Sequence, residues 1–295
     1  MKRAWVVLAV LASVVVAGCG GDPTKGGGGG GSGPLAIGSA DFAESELLME
    51  LYAGAVRSTG AQVQTRPRIG SREVLVRALQ DGSLAVVPEY AGNLLNYFDK
   101  DATAAKSDEV YAQLQQKVPS GLQVLEKSAA EDKDVLVVSK ETAERQGLRS
   151  MADLGPKCGD LVLGAAGEWR GRWEARIKQL YGCVFKEIRT TDPAGPVTVE
   201  ALRSGQVQVA NLFTTASAIG VNGFVELADP KQMYPAQNVV PLVRQSALDD
   251  RGRQAVNRVS AALTTEKLSA MVRRIEVDKA TVADVASGFL KENGF

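Results

Sequence analysis

The sequence predicts an α/β protein built from two similar lobes, and three observations carry that prediction. From residue 35 onward, short apolar strand-like runs alternate with amphipathic helical runs, the order that gives parallel sheets flanked by helices. One helix–glycine–strand unit occurs twice: Ala78-Leu79-Gln80-Asp81-Gly82-Ser83-Leu84-Ala85-Val86 matches Ala201-Leu202-Arg203-Ser204-Gly205-Gln206-Val207-Gln208-Val209. Two further apolar runs, residues 134–138 and 238–243, stand where the chain would cross between lobes. If both cross, residues 35–139 plus 238–295 form one lobe and residues 140–237 the other, with the helices after Asp249 returning to the first lobe.

The elements follow in order. Residues 35–39 read as a short buried strand, and residues 42–58 as a helix with Leu47, Leu48, Leu51, Tyr52, Ala55 and Val56 on one face at a period of about 3.6. Gly60 stops that helix. Residues 62–69 alternate as a strand does, and Pro67 assigns them to a sheet edge. Ser71 caps a helix that runs to Gln80 and is closed by Gly82. Residues 84–87 form the next strand and lead into Pro88-Glu89-Tyr90. Continued without a gap, the repeat sets Tyr90 opposite Phe213. Both aromatics fall just past the carboxyl end of a strand, where open α/β sheets bind their ligands.

The 295-residue chain opens with Lys2 and Arg3, then an apolar run from residue 4 to 16 that is shorter than the roughly 20 residues a membrane span needs. This is the layout of an export signal. Val16-Ala17-Gly18-Cys19 resembles a bacterial lipobox. That resemblance implies removal of residues 1–18, acylation of Cys19, and anchorage on the outer face of the cytoplasmic membrane, stable once two or more acyl chains are attached. Residues 19–34 are glycine-rich, unbroken from Gly26 to Gly31, and read as a flexible tether.

Composition excludes several function classes. With 45% apolar residues the body can bury a large core. With 34 basic and 34 acidic side chains and no basic stripe, nucleic acid is not an expected partner. The chain has no histidine, which removes Ser-His-Asp and Cys-His chemistry and the commonest metal ligand. No P-loop, G-x-S-x-G elbow or G-x-G-x-x-G turn occurs in the body, so neither an enzyme nor a cofactor or metal is expected. An enzyme would have to lean on carboxylates such as Asp132 and Asp134, which have no second acidic cluster at an obvious spacing. With Cys19 set aside, Cys158 and Cys183 form an even remainder. In an oxidising compartment they are expected to pair, closing a loop of about 25 residues for roughly 3–4 kcal/mol.

Ile37-Gly38-Ser39 with Phe42 and Glu44, Gly70-Ser71-Arg72-Glu73-Val74, Pro88-Glu89-Tyr90-Ala91-Gly92, Tyr181-Gly182, Thr198-Val199-Glu200-Ala201-Leu202, Phe213-Thr214-Thr215 and Phe289-Leu290-Lys291 resemble, in order, the glycine betaine/choline-binding family. The resemblance implies a type II periplasmic-binding-protein fold that closes its lobes around a small solute. It also implies an ABC permease and ATPase as partners. Family ligands carry a quaternary ammonium, held by aromatic faces. Carried over, the family pattern makes Tyr90 and Phe213 cage aromatics and places Asp134 and Gln237 at the other two cage positions. It makes Arg172 the clamp for a ligand carboxylate, with Trp169 or Trp173 as a further face. Trp173 stands where a proline is usual, Ser45 where glutamine is frequent and Ala40 where lysine is. Ser39, Asp41 and Ser71 sit at strand-to-helix turns, where free backbone N–H groups attract anions. Two alternatives remain open at this stage: the same fold holding another polar or aromatic solute, and a membrane-tethered solute sensor.

Overall fold

The structure, a computed structural model, describes residues 33–295; the export signal, Cys19 and the tether up to residue 32 lie outside the described residues. The first stretch comprises β1 (Leu35–Ala40), α1 (Ala43–Arg57), β2 (Val63–Gly70), α2 (Arg72–Gln80), β3 (Val86–Tyr90), α3 (Ala91–Phe98), α4 (Ser107–Lys117) and β4 (Leu122–Val124). The middle comprises β5 (Asp134–Val138), α5 (Lys140–Gln146), α6 (Met151–Leu154), a 3-10 turn over Gly155–Asp160, β6 (Val162–Ala166), α7 (Gly167–Tyr181), β7 (Glu187–Thr191), α8 (Pro196–Arg203), β8 (Val209–Phe213), α9 (Ser217–Asn222) and β9 (Val225–Glu226). The chain ends with β10 (Val239–Arg244), α10 (Asp250–Ala262), α11 (Thr265–Glu276) and α12 (Val282–Glu292).

These elements form two five-stranded sheets of the same plan, ordered β2-β1-β3-β10-β4 and β7-β6-β8-β5-β9. In each, the first three strands of that order are parallel and an antiparallel strand pairs with the third. The duplicated helix–glycine–strand unit is the cause of the likeness. Gly82 and Gly205 close α2 and α8 at φ of 85° and 75°, a left-handed turn that glycine enters without a Cβ clash. The following strand is then delivered in the same direction in both sheets, and the aromatics end up in matching registers. Tyr90 pairs with Val239 at the start of β10, and Phe213 pairs with Asp134 at the start of β5.

Two expectations need correction. The third strand continues through Pro88 to Tyr90 instead of stopping at residue 87. Pro88 faces Pro241 on β10, so the two missing donors are confined to at most one rung of that ladder. Residues 134–138, counted with the first lobe from sequence, are a strand of the second sheet. The chain crosses just before them, at residues 130–133, and back at residues 236–238. These two segments run antiparallel and are hydrogen-bonded: Val239 N–H donates to Ala130 O at 2.9 Å and Asp132 N–H to Gln237 O at 3.2 Å.

Each sheet is covered on both faces. Under the first, Ile37, Leu47, Leu51, Val256, Leu268 and Phe289 form one core, so the C-terminal helices do return to it. Leu75, Leu79, Leu94, Val110 and Leu242 form the core on its other face. Leu136, Leu163, Trp169 and Met233 fill one side of the second sheet, and Val137, Leu202, Leu212 and Phe224 the other. Cys158 and Cys183 are buried with Cα atoms 5.4 Å apart, within disulfide range, where the 3-10 turn meets the end of α7. Gly92 lets the start of α3 lie against the returning segment: a Cβ there would stand 2.6 Å from the Ala236 carbonyl oxygen and 3.0 Å from Gln237 Nε2. A backbone oxygen cannot swing aside, so Gly92→Ala is expected to destabilise the fold by about 1–3 kcal/mol, read as a lower midpoint in thermal unfolding; an unchanged midpoint would show that this approach is not tight.

Candidate ligand-binding site

The carboxyl ends of β1 and β3 open onto a cavity of about 500 Å³ lined by Asp41, Phe42, Ser71, Arg72, Glu89 and Tyr90. Phe42 precedes α1 in extended conformation and is 41% exposed, unusual for so large an apolar side chain. Its ring stacks on Tyr90 with centroids 6.2 Å apart and planes 27° apart. Tyr90 is buried, and its hydroxyl donates to Glu44 Oε1 at 2.6 Å. Arg72, opening α2, grips Glu89 with three contacts of 2.8–3.0 Å. Ser71 caps α2 in position only; its hydroxyl donates to Glu73 and not to the helix backbone. Asp41 is exposed and paired with Arg68 at 3.3 Å. Ser39 is fully buried and accepts from Arg68 N–H at 2.9 Å, which holds Arg68 at φ 53°. Ser39 therefore shapes the turn and does not face the cavity.

On the second sheet, Asp134 and Phe213 lie opposite each other, so their side chains share a face. That is the face of Leu136, covered by α7 and Tyr234. Burial raises the Asp134 carboxyl above its usual range and Glu168 adds to this, while a hydrogen bond from Asn211 and the Arg172 charge oppose it. Asp134 and Tyr234 line a cavity of about 340 Å³. Arg172 is exposed on α7. Trp169 is not a cleft residue: it is 2% exposed, its Nε1–H donates to the Tyr234 hydroxyl at 3.0 Å, and its ring meets Phe185 edge-on. Trp173 is half-buried, edge-on to Tyr234 at 5.0 Å. Gln237 is also engaged internally, its Oε1 accepting from Asn93 N–H at 2.9 Å. The 500 Å³ cavity is lined by Tyr90 but not by Phe213, Arg172 or Asp134. Tyr90, Asp41 and Ser71 thus come together on the first sheet, and Phe213 and Asp134 on the second.

A polar cluster links the two sheets, and the sequence reading did not place it in the site. Asp132 lies on the crossing segment and Thr215 just past β8; the Thr215 hydroxyl donates to Asp132 Oδ1 at 2.7 Å. Burial, then the nearby Asp132 charge, pushes Glu44 from 4.5 up to about 8 against the Tyr90 and Thr215 hydroxyls, with Glu276 a lesser influence. Burial pushes Asp132 from 3.8 up to about 6, with Thr215 opposing and Asp134 adding to the rise. Glu44 had a sequence signal: with Leu47, Leu48 and Leu51 it sits at i, i+3, i+4 and i+7, a carboxylate inside the apolar stripe of α1. Because both folded-state values exceed those of an unfolded chain, the folded protein holds protons the unfolded chain has released between about pH 4 and 8. Their stabilising contribution is present below about pH 4 and is lost as pH rises through about 8. The ligand-free melting temperature should fall from pH 5 to pH 8.5, and Glu44→Gln should flatten the part above pH 6; an unaltered slope in that variant would show that Glu44 ionises normally.

The family model for the substrate-binding domain of ABC-type glycine betaine transport systems matches residues 33–292. The chain is 26% identical over 278 residues to the glycine betaine-binding protein YehZ of Escherichia coli, covering 89% of this chain and 91% of that one. It is 28% identical over 278 residues to a glycine-betaine-binding protein of Pseudomonas aeruginosa, covering 88% of each. Among solved structures, a glycine betaine/carnitine/choline ABC transporter protein superposes with a TM-score of 0.80 at 22% identity, covering 88% of this chain and 97% of that one. The two sheets thus take the expected periplasmic-binding-protein fold. With a family match over nearly the whole described body and cleft aromatics at the strand ends, the chain belongs to the family of substrate-binding domains of ABC-type glycine betaine transport systems.

Proposed function

We propose that this chain is the lipid-anchored, extracytoplasmic binding component of an ABC importer. It captures a glycine betaine- or choline-like solute by closure of two lobes, one on each sheet, and delivers it to a membrane permease. It performs no chemistry itself; ATP hydrolysis belongs to a partner subunit. The observation that carries the reading is the Phe42–Tyr90 stack at the carboxyl ends of β1 and β3, beside the buried carboxylate of Glu44. A quaternary ammonium has no N–H to donate, so aromatic faces and nearby negative charge are the groups that stabilise it, at about 0.5–2 kcal/mol per ring. The paired crossing segments support closure, since two short links let the lobes rotate about one axis. Phe213 and Asp134, matched in register to Tyr90 and Val239, are the second lobe's contribution. No described helix is long and apolar enough to cross a membrane, and attachment through Cys19 supplies the membrane location.

In calorimetric titrations with glycine betaine and choline, Tyr90→Leu, Phe42→Ala and Phe213→Ala should each weaken binding of the better ligand tenfold or more, about 1.4 kcal/mol each. Unchanged affinity in all three would remove the aromatic site. Intact mass spectrometry of the protein extracted from membranes should show an acylated Cys19 at the N-terminus and a Cys158–Cys183 disulfide, seen as the loss of two hydrogens that reductant restores. An unacylated N-terminus, or two thiols that alkylate without reductant, would refute the anchor or the bond respectively.

A further inference from the structure

We propose that the contact between α9 and α11 is a latch that holds the two lobes apart, so that ligand affinity is set in part by Ser217 and Glu276. The inference rests on the lobe closure proposed above and assigns the contact that opposes it. In this structure the Phe42–Tyr90 cavity takes none of its lining from the second sheet. The lobes are therefore open over the ring pair.

The two sheets meet elsewhere. A cavity of about 670 Å³ is walled by α9 of the second sheet, by α11 of the first and by the crossing segment. Alternate residues separate it from the cleft. Asp132 bonds to Thr215 and acts on Glu44, whereas its neighbours Glu131 and Lys133 line this cavity. Thr214 and Ala216, on either side of Thr215, line it too. Successive side chains of an extended segment point to opposite sides, so the cavity lies across the crossing segment from the Glu44–Tyr90 pair. Ser217, on its wall, donates to Glu276 Oε2 at the end of α11 at 3.0 Å. Among the described residues, this is the one hydrogen bond from residues 134–235 to the rest of the body that does not involve a crossing segment. A rotation that brings Phe213 and Asp134 over Tyr90 must part the far face of the crossing segment, where α9 and α11 touch. Interactions made only in the open state lower the closed fraction, and apparent affinity falls with that fraction. The Ser217–Glu276 bond thus weakens binding without touching the ligand.

Charge at position 217 tests the latch in both directions, and neither side chain belongs to a core. In calorimetric titrations at low salt, Ser217→Asp sets a second carboxylate against Glu276 and should tighten choline and glycine betaine binding about two- to fivefold. Ser217→Arg sets a cation there and should weaken both by a similar factor. Combining Ser217→Asp with Glu276→Arg should turn the gain into a loss. By small-angle X-ray scattering, the ligand-free Ser217→Asp protein should have a smaller radius of gyration than the Ser217→Arg protein. Opposite signs at one position do not arise from a folding defect, which weakens binding in either variant. Affinities that stay unchanged, or shift the same way in both variants, would overturn this inference and leave the proposed function standing. So would a shift confined to cationic choline, which would show a direct charge effect on the ligand. Silence of the wild-type protein toward both solutes would overturn the proposed function. Scattering then decides the latch alone: radii in the expected order support it and equal radii refute it.

Discussion

The hydrogen bond from Tyr90 to Glu44 is the contact on which the site depends. Glu44 belongs to the first turn of α1, on the same stripe that buries Leu47, Leu48 and Leu51 under the first sheet. A carboxylate in such a stripe is costly unless it finds a donor or a proton. The structure gives it a donor at 2.6 Å on the last residue of β3. The same bond fixes the Tyr90 ring, and the fixed ring supports Phe42. Helix packing, ring placement and the charge of the cleft are thus set by one interaction, so a change at any of the three residues is felt by the other two.

The second constraint is the duplicated plan. Each half builds three parallel strands from two β-α units, then borrows an antiparallel strand that arrives after a crossing. The borrowed strand begins opposite the aromatic in both cases. This places the crossing segments beside the strand ends. Asp132, which belongs to neither sheet, therefore becomes a neighbour of Glu44 on one side and of Thr215 on the other. Thr214 reinforces the junction, its hydroxyl donating to Glu131 O at 2.9 Å and accepting from Lys133 N–H at 3.2 Å. The segment that crosses between the sheets is also where the buried acids come near one another.

The sequence made the repeat, the edge position of β2, the return of the C-terminal helices and the matching of Tyr90 with Phe213 legible, because these rest on period, glycine position and chain order. It did not separate Trp169 from the cleft. An indole near a strand end looks the same from sequence whether its N–H points to a ligand or, as here, to the Tyr234 hydroxyl. Ser39 and Gln237 likewise hold internal hydrogen bonds that no local pattern announces: the Ser39 hydroxyl accepts from Arg68 N–H and the Gln237 Oε1 from Asn93 N–H. Asp132 escaped for the opposite reason. Its role comes from long-range proximity to Glu44 and Thr215, and no local pattern encodes that.

A full charge beside an aromatic ring changes the field that the ring presents. A cage made wholly of aromatic faces attracts a cation through ring quadrupoles and leaves the remainder of the ligand to be recognised by a separate cation. Here Phe213 is set opposite Asp134, and the Tyr90 hydroxyl is tied to Glu44. Full charges act over longer distances than quadrupoles and are less tolerant of a second anion nearby. The Tyr90 ring therefore cannot be treated apart from the protonation of Glu44, which burial favours.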